Sequence, residues 1–421
     1  LVAVLLAAAM VAVSCSSPIG QSGTVRATSL ASAAPSGTPS SSIAPTAVGS
    51  PNQADQAVYA QIESQVQAIR GLQARKPVTP VLLDSAGVAA WLARANAEQT
   101  NHQAMADESR LFVHMGMLPA GSSLEQMELA LQSSQVVGFY DPVSKGLYVL
   151  SESGGVGAVQ KVTFSHEFTH ALQDQNFDLA KLATDTPDQG DRDLARTALP
   201  EGDATLAMTQ WSTKFMTLPE LLSIANDPGS VAQQKQLNDA PPILRQTLLF
   251  PYMQGLSFVQ GVYSSGGWAA VDRIYANPPA STSQIIHPEL YTGGIKPVPV
   301  SVPAVPASLS GWKLSMQDTL GEFELGIWLG GLTEANSGSA DAVSEWGGDR
   351  VGLYEGPNGQ WAVVLKTAWR TGARASAFDS AAGTLLGQLG GPSRTCAGTT
   401  DVTVALASGQ DLLPLFAPCA G

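Results

Sequence analysis

Residues 163–177 read TFSHEFTHALQDQNF. His166 and His170 are four apart, so on a helix they stack one turn above the other on a single face. Glu167 lies a short arc away. Two imidazoles can then converge on one metal ion, with a carboxylate beside a water that the metal polarises. This HExxH pattern puts two ligands and a general base within five residues. The chain holds only five histidines, which makes the spacing a specific signal. The surroundings supply the helix that the pattern needs. Gly154 and Gly155 break what precedes, and Val156 to Phe177 contains no proline and no glycine after Gly157. Val159, Phe164, Phe168, Ala171 and Leu172 can bury the side turned away from the metal.

A catalytic metal of this kind takes three protein ligands and leaves one position open. The downstream stretch ALPEGDAT, residues 198–205, offers two carboxylates. Pro200 suits a first helical turn. Glu201, 31 residues after His170, can return on a second helix to complete the ligand set, with Asp203 as runner-up. The two cannot share one helical face. The alternative HExxHxxGxxH pattern is absent, because positions 173 and 176 are Gln173 and Asn176. Asp174, one turn past His170, is a candidate to orient a ligand imidazole. Hydrolysis also needs a hydrogen-bond donor for the charge that develops on the attacked carbonyl oxygen. His287 and Tyr291, in IIHPELY at 285–291, are the candidates for that role.

The segments SHEFTHALQDQNF and ALPEGDAT resemble those of bacterial exported gluzincin-like metallopeptidases, which share an HExxHALQDQ helix and a downstream EGDA. NPPASTSQIIHPELY, residues 277–291, is similar as well. The resemblance covers residues 138–291 well and the rest loosely. It implies one Zn2+ per chain bound by His166, His170 and Glu201, with Glu167 as base. It brings chemistry without a substrate. Better-known gluzincins often carry an aspartate four residues after the ligand glutamate. Here that position is Thr205, so the support of the histidines must differ.

Upstream, residues 136–150 read as a β-hairpin around Asp141-Pro142-Val143-Ser144-Lys145-Gly146. A sheet before the histidine helix is what a zincin-like fold requires, and its edge strand can pair with an extended peptide. Helices are expected over 54–69, from a cap at Ser85 to Ala97, over 104–115 and over 123–132, with a short strand at 77–83. The acidic run 179–196 reads as a solvated loop. Beyond residue 300, a Pro/Val-rich extended stretch leads to a helix over 318–330. A hairpin around Gly356-Pro357-Asn358-Gly359, a helix over 373–389 and a strand over 401–406 follow. Trp346, Trp361 and Trp369 are expected in the core.

The chain of 421 residues carries 35 acidic and 22 basic side chains, net −13, with no Lys/Arg cluster. This gives no footprint for nucleic acid. It opens LVAVLLAAAMVAVSCSS, an apolar run too short to span a membrane and readable as an export signal. Ala12-Val13-Ser14-Cys15 resembles a lipobox, which predicts a lipid anchor at Cys15. The Ser/Pro/Ala-rich stretch 16–53 is a tether. Cys396 and Cys419 are the other two cysteines, and in an exported protein they predict a disulfide. The expected organisation is a signal segment at 1–15, a linker at 16–53, an α+β zincin-like catalytic domain at 54–300, and a small C-terminal α+β region at 301–421. The expected function is hydrolysis of a protein or peptide by an extracytoplasmic metallopeptidase held at the cell membrane or secreted. The rivals are a non-enzymatic lipoprotein with a structural metal and a zinc amidase acting on cell-wall material.

Overall fold

The computed structural model describes residues 51–151, 155–182, 188–330 and 338–419. The expected signal segment, Cys15 and nearly all of the linker lie outside the described residues. The first helix, α1 (Gln53–Arg70), begins where Asn52 accepts from the Asp55 amide, and it ends at Gly71 in the left-handed region. Tyr59, Ile62, Val66 and Arg70 share its buried side. Strand β1 (Pro80–Leu83) follows, then α2 (Ser85–Gln99), α3 (His102–His114) and α4 (Leu124–Gln135). The cap of α2 is Asp84 rather than Ser85, its carboxylate accepting from the Gly87 amide.

Strands β2 (Gly138–Asp141) and β3 (Gly146–Leu150) form the expected hairpin, and β1 adds parallel to β3 to give the order β1-β3-β2. Strand β2 is therefore an edge strand. All four of its residues are buried, so it does not present itself to solvent here. The histidine helix α5 (Ala158–Phe177) comes next, then the short α6 (Leu179–Leu182) and the long α7 (Gly190–Phe215).

Helix α7 departs from expectation. Pro200 sits in its interior, not in its first turn. The acidic stretch thought to be a loop provides the helix start instead. The reason is long-range: the Gly190 amide donates to Asp318 (3.0 Å) and the Asp191 amide to the Thr319 carbonyl (3.1 Å). The N-terminus is thus capped by residues more than 120 positions away, which no local pattern announces.

Helices α8 (Leu218–Ala225), α9 (Pro228–Asp239), α10 (Pro242–Ile274), α11 (Thr282–Ile286) and α12 (Pro288–Thr292) complete the helical part. Helix α10 is broken at Gly266–Gly267. The C-terminal part contains β4 (Lys313–Asp318), α13 (Gly321–Gly330), α14 (Gly338–Val343), β5 (Trp346–Glu355), β6 (Trp361–Trp369), α15 (Gly372–Leu389), β7 (Ser393–Ala397), β8 (Asp401–Ala407) and α16 (Leu413–Phe416). Its five strands form one antiparallel sheet in the order β4-β5-β6-β8-β7. The chain is thus α+β, a helical core with a small mixed sheet and a separate antiparallel sheet.

Two clusters frame the histidine helix. Tyr59, Ile62 and Val66 pack with Phe164, Phe168 and Leu172 of α5 and with Met208 and Trp211 of α7. Leu194, Ala198 and Leu199 of α7 pack against Phe250 and Phe258 of α10. A third cluster joins Leu111 and Phe112 of α3 to Val351, Leu365 and Val404 of the C-terminal sheet. Trp346 and Trp369 lie in that core, and Trp361 is half-buried against His114. The Trp328 indole donates to the Met115 carbonyl across the same junction (3.0 Å). Cys396 and Cys419 are disulfide-bonded, with Cα atoms 5.2 Å apart. Among the described residues no helix is long and apolar enough to cross a membrane.

Candidate metal centre

Helix α5 turns Phe164, Phe168 and Leu172 toward α1, as their four-residue spacing requires. The same period brings His166 and His170 out together on another face, where α7 crosses. The His166 and His170 Nε2 atoms are 3.0 Å apart, and Glu201 Oε2 lies 3.3 Å from each. His166, His170 and Glu201 form a cluster able to hold a metal ion, and no other group of this kind occurs among the described residues.

The dimensions suit an ion. A tetrahedral metal with bonds of about 2.0–2.1 Å spaces its ligands about 3.3 Å apart. The three atoms form a triangle of that size. Two imidazoles and a carboxylate are also a donor set that catalytic metal sites use.

Around this triangle, charge is already arranged. Burial lowers the pKa of His166. Burial would lower His170 as well, but the Glu201 carboxylate outweighs it and raises the imidazole to about 9. Glu201 would be raised by burial, yet the His170 charge leads the effects that hold it down to about 2. Before any metal enters, His170 is therefore a protonated partner of an ionised Glu201.

Gln173 orients His170. Its Nε2 donates to the Pro200 carbonyl (3.0 Å), which can only accept, so Oε1 must face His170 Nδ1 at 2.8 Å. His170 then donates from Nδ1 and turns Nε2 toward the cluster. The Pro200 carbonyl belongs to the residue just before Glu201, so this bond also ties the two ligand-bearing helices together. At Thr205, the position where an aspartate is common in gluzincins, the hydroxyl is buried and meets no hydrogen-bond partner among the described residues. The same is true of His166 Nδ1.

Asp174 does not orient a ligand. Its Oδ2 accepts from the Tyr140 hydroxyl and from Lys145 Nζ, both at 2.7 Å, and its Oδ1 from the Leu179 amide. It fastens the β2–β3 hairpin to the end of α5. Asp203 points away from the histidines, into a salt bridge with Arg70, as two residues separated by two on a helix must diverge. His287 and Tyr291 also lie outside the ligand cluster. His287 Nε2 is 2.7 Å from Glu322, and the Tyr291 hydroxyl donates to the Asn277 carbonyl at 2.7 Å.

A different aromatic residue approaches the ligands. The Tyr252 ring, on α10, lies 6.1 Å from the His166 ring between centroids, tilted by 32°. Helix α10 comes this close because of two glycines. A Cβ at Gly202 would overlap the Gly255 carbonyl group, and one at Gly255 would overlap the Ala198 carbonyl oxygen. The backbones of α7 and α10 are in contact beside Glu201, which only glycine permits. The cluster is closed to solvent: exposure is 0 % for His166 and Glu167, 4 % for His170 and 2 % for Glu201.

Comparison with known families reaches a different part of the chain. A family described as a domain of unknown function, DUF8575, matches residues 312–411. That span holds β4 through β8 and none of the cluster. No curated protein and no solved structure matches the chain.

Proposed function

We propose that this chain is a zinc-dependent peptidase with a zincin-like catalytic unit formed by α5, α7 and the small mixed sheet. The observation that carries the reading is the triangle of His166, His170 and Glu201, with Glu167 on the same helix as the histidines. A structural metal needs ligands alone, whereas Glu167 adds a base that binding does not require. A bound zinc supplies Lewis-acid polarisation of water and of the scissile carbonyl. Glu167 takes the proton of the attacking water and passes it to the leaving amine as the C–N bond breaks. His170 stays aligned through Gln173. The disulfide supports an oxidising, extracytoplasmic setting, and a lipid anchor at Cys15 belongs to the same proposal.

The depth of the cluster favours one other reading. A metal sealed between α5 and α7 is also what a non-enzymatic protein would use to fasten two helices. The peptidase reading therefore requires part of the cover to move when a peptide enters. Metal analysis beside cleavage of a denatured protein mixture, for wild type and Glu167→Gln, separates the two. The peptidase reading expects stoichiometric zinc in both proteins and cleavage by the wild type alone. Zinc in both with cleavage by neither leaves the structural reading, and absent zinc in both rejects the site.

A further inference from the structure

Helices α1 and α7 run antiparallel. Arg70, at the end of α1, pairs with Asp203, while Gln65, further back along α1, accepts through its side-chain oxygen from the Trp211 indole (2.9 Å). The start of α1 therefore lies at the end of the molecule where α7 stops and α8 follows. Ile224, on the inner side of α8, belongs to the same cluster as Tyr59 and Ile62 of α1. Residues 1–50 join the fold at this end, through Pro51.

The surface at this end is apolar. Phe215, Leu218, Leu222 and Val231 are four of the ten large hydrophobic side chains exposed among the described residues, and they fall together between 215 and 231. Leu218 and Leu222, 61 % and 48 % exposed, are one turn apart on α8, while Leu221 and Ile224 of the same helix are buried. The charge here is also unlike that of the whole. The chain carries net −13, yet from Thr213 to Gln236 the exposed charged side chains are Lys214 and Lys235 alone. Glu220 and Asp227 are half-buried: Glu220 pairs with Lys161 (2.7 Å) and accepts from the Thr217 amide, and Asp227 accepts from the Ser230 amide. Lys235 reaches Asp239, the first exposed acid beyond. Lys214 Nζ lies 5.2 Å from the Phe215 ring, so a cation borders the apolar residues.

We propose that this surface, formed by the end of α7, α8 and the start of α9, docks on an anionic lipid bilayer. A helix lying on a membrane puts apolar side chains into the headgroup boundary and keeps basic ones at the phosphates. Phe215, Leu218, Leu222 and Val231 supply the first, and Lys214 and Lys235 the second. The same lipid charge repels the acidic surface elsewhere, which selects this orientation. A lipid at Cys15 would deliver this end to the bilayer without being needed for the contact. The proposal does not rest on the peptidase reading, since none of these residues belongs to the metal cluster.

Hydrogen exchange on the full chain, mixed with vesicles of phosphatidylcholine and phosphatidylglycerol, locates the contact. Exchange over residues 213–236 should slow on these vesicles and slow less on phosphatidylcholine alone. That vesicle-induced protection should fall about tenfold in Leu218→Gln/Leu222→Gln and about fivefold in Lys214→Gln. Melting temperature and metal content should not change, because all three side chains face solvent. A chain held on vesicles with no slowing over 213–236, or slowing that the double variant keeps, overturns the proposal. Equal protection on phosphatidylcholine alone overturns the anionic assignment. Slowing that appears without lipid as protein concentration rises assigns the surface to a second copy and overturns it too. Glu167→Gln should dock as the wild type does, so this inference and the peptidase reading fail separately.

Discussion

Arg70 and Asp203, 133 residues apart in sequence, form a two-pronged ion pair in the core: Arg70 Nε is 2.6 Å from Oδ1 and Nη2 is 2.9 Å from Oδ2. Both side chains are fully buried. Arg70 Nη2 also reaches Asp272 (2.7 Å), the Tyr275 hydroxyl donates to Asp203 (2.7 Å), and the Trp268 ring lies 4.4 Å from the guanidinium carbon. Asp203 is two residues beyond Glu201, so α1 grips α7 behind the ligand carboxylate. Removing one partner leaves a buried charge uncompensated. Arg70→Met should cost about 3–5 kcal/mol, read from urea unfolding of the metal-free protein. A loss under 1 kcal/mol would show that the pair does not hold the helices together.

Gln173 offers a milder test of the site. Gln173→Ala removes the acceptor for His170 Nδ1 and the bond to the Pro200 carbonyl while leaving all three ligands in place. Zinc affinity should fall about 10- to 100-fold, measured by competition with a chromophoric chelator. Gln173→Glu, which retains an acceptor, should lose less. Equal affinity in Gln173→Ala and wild type would deny the orienting role.

Metal binding should release a proton. His170 is raised to about 9 by Glu201, so at pH 7 its imidazole is protonated and a metal must displace that proton. Zinc affinity should therefore increase with pH up to about 9 and flatten above it. Calorimetry in buffers of different ionisation enthalpy should count close to one proton released per metal at pH 7. Release of none would mean that His170 is already neutral.

Asp191 should make the protein more stable in mild acid. Burial raises its pKa to about 7. The Thr282 hydroxyl and amide, which both donate to it, oppose the rise, and Asp349 and Glu322 add to it. Burial likewise raises Asp349 to about 6, against the Leu320 and Gly321 amides and the Trp346 indole. The sign is opposite to that of a salt-bridged carboxylate. The folded state binds a proton that the unfolded chain, with an aspartate pKa of about 3.9, does not hold. The full cost is borne above pH 7 and is relieved as pH falls toward about 4. Unfolding free energy should thus rise on the order of 1–4 kcal/mol between pH 8 and 5. Asp191→Asn, whose carbonyl still accepts from Thr282, should flatten the upper part of that profile. An unchanged profile would place the titration elsewhere.

Much of this was legible along the chain because it is local. The histidine helix, the hairpin before it, α1, α15 and the β5–β6 hairpin follow from periodicity and turn residues. Glu201 follows from its neighbours. What escaped depends on distant partners. The start of α7 is capped from Asp318 and Thr319, so its acidic residues looked like a loop. Arg70 continues the buried series Tyr59, Ile62 and Val66, and an arginine in that register was a signal of a buried anion. Gln173 sits three residues after His170, within reach of it on the same helix, but its second bond to Pro200 exists only once α7 crosses. Tyr252 lies 51 positions beyond Glu201 on a helix whose approach depends on two glycines. His287 and Tyr291, in the stretch 277–291 that resembles the exported metallopeptidases, pair with Glu322 and Asn277.

The glycine contact also gives a means of recognition. HExxH is short enough to arise by chance in unrelated chains. Here the third ligand is followed by Gly202 in Glu-Gly-Asp, and the matching glycine closes Tyr-Met-Gln-Gly at 252–255. A side chain at Gly202 would strike the Gly255 carbonyl group and one at Gly255 the Ala198 carbonyl oxygen, so neither position tolerates one while α7 and α10 stay in contact. The two segments should therefore be retained or lost together. Joined to the histidine pair, they make a three-part fingerprint for finding unassigned chains with the same centre.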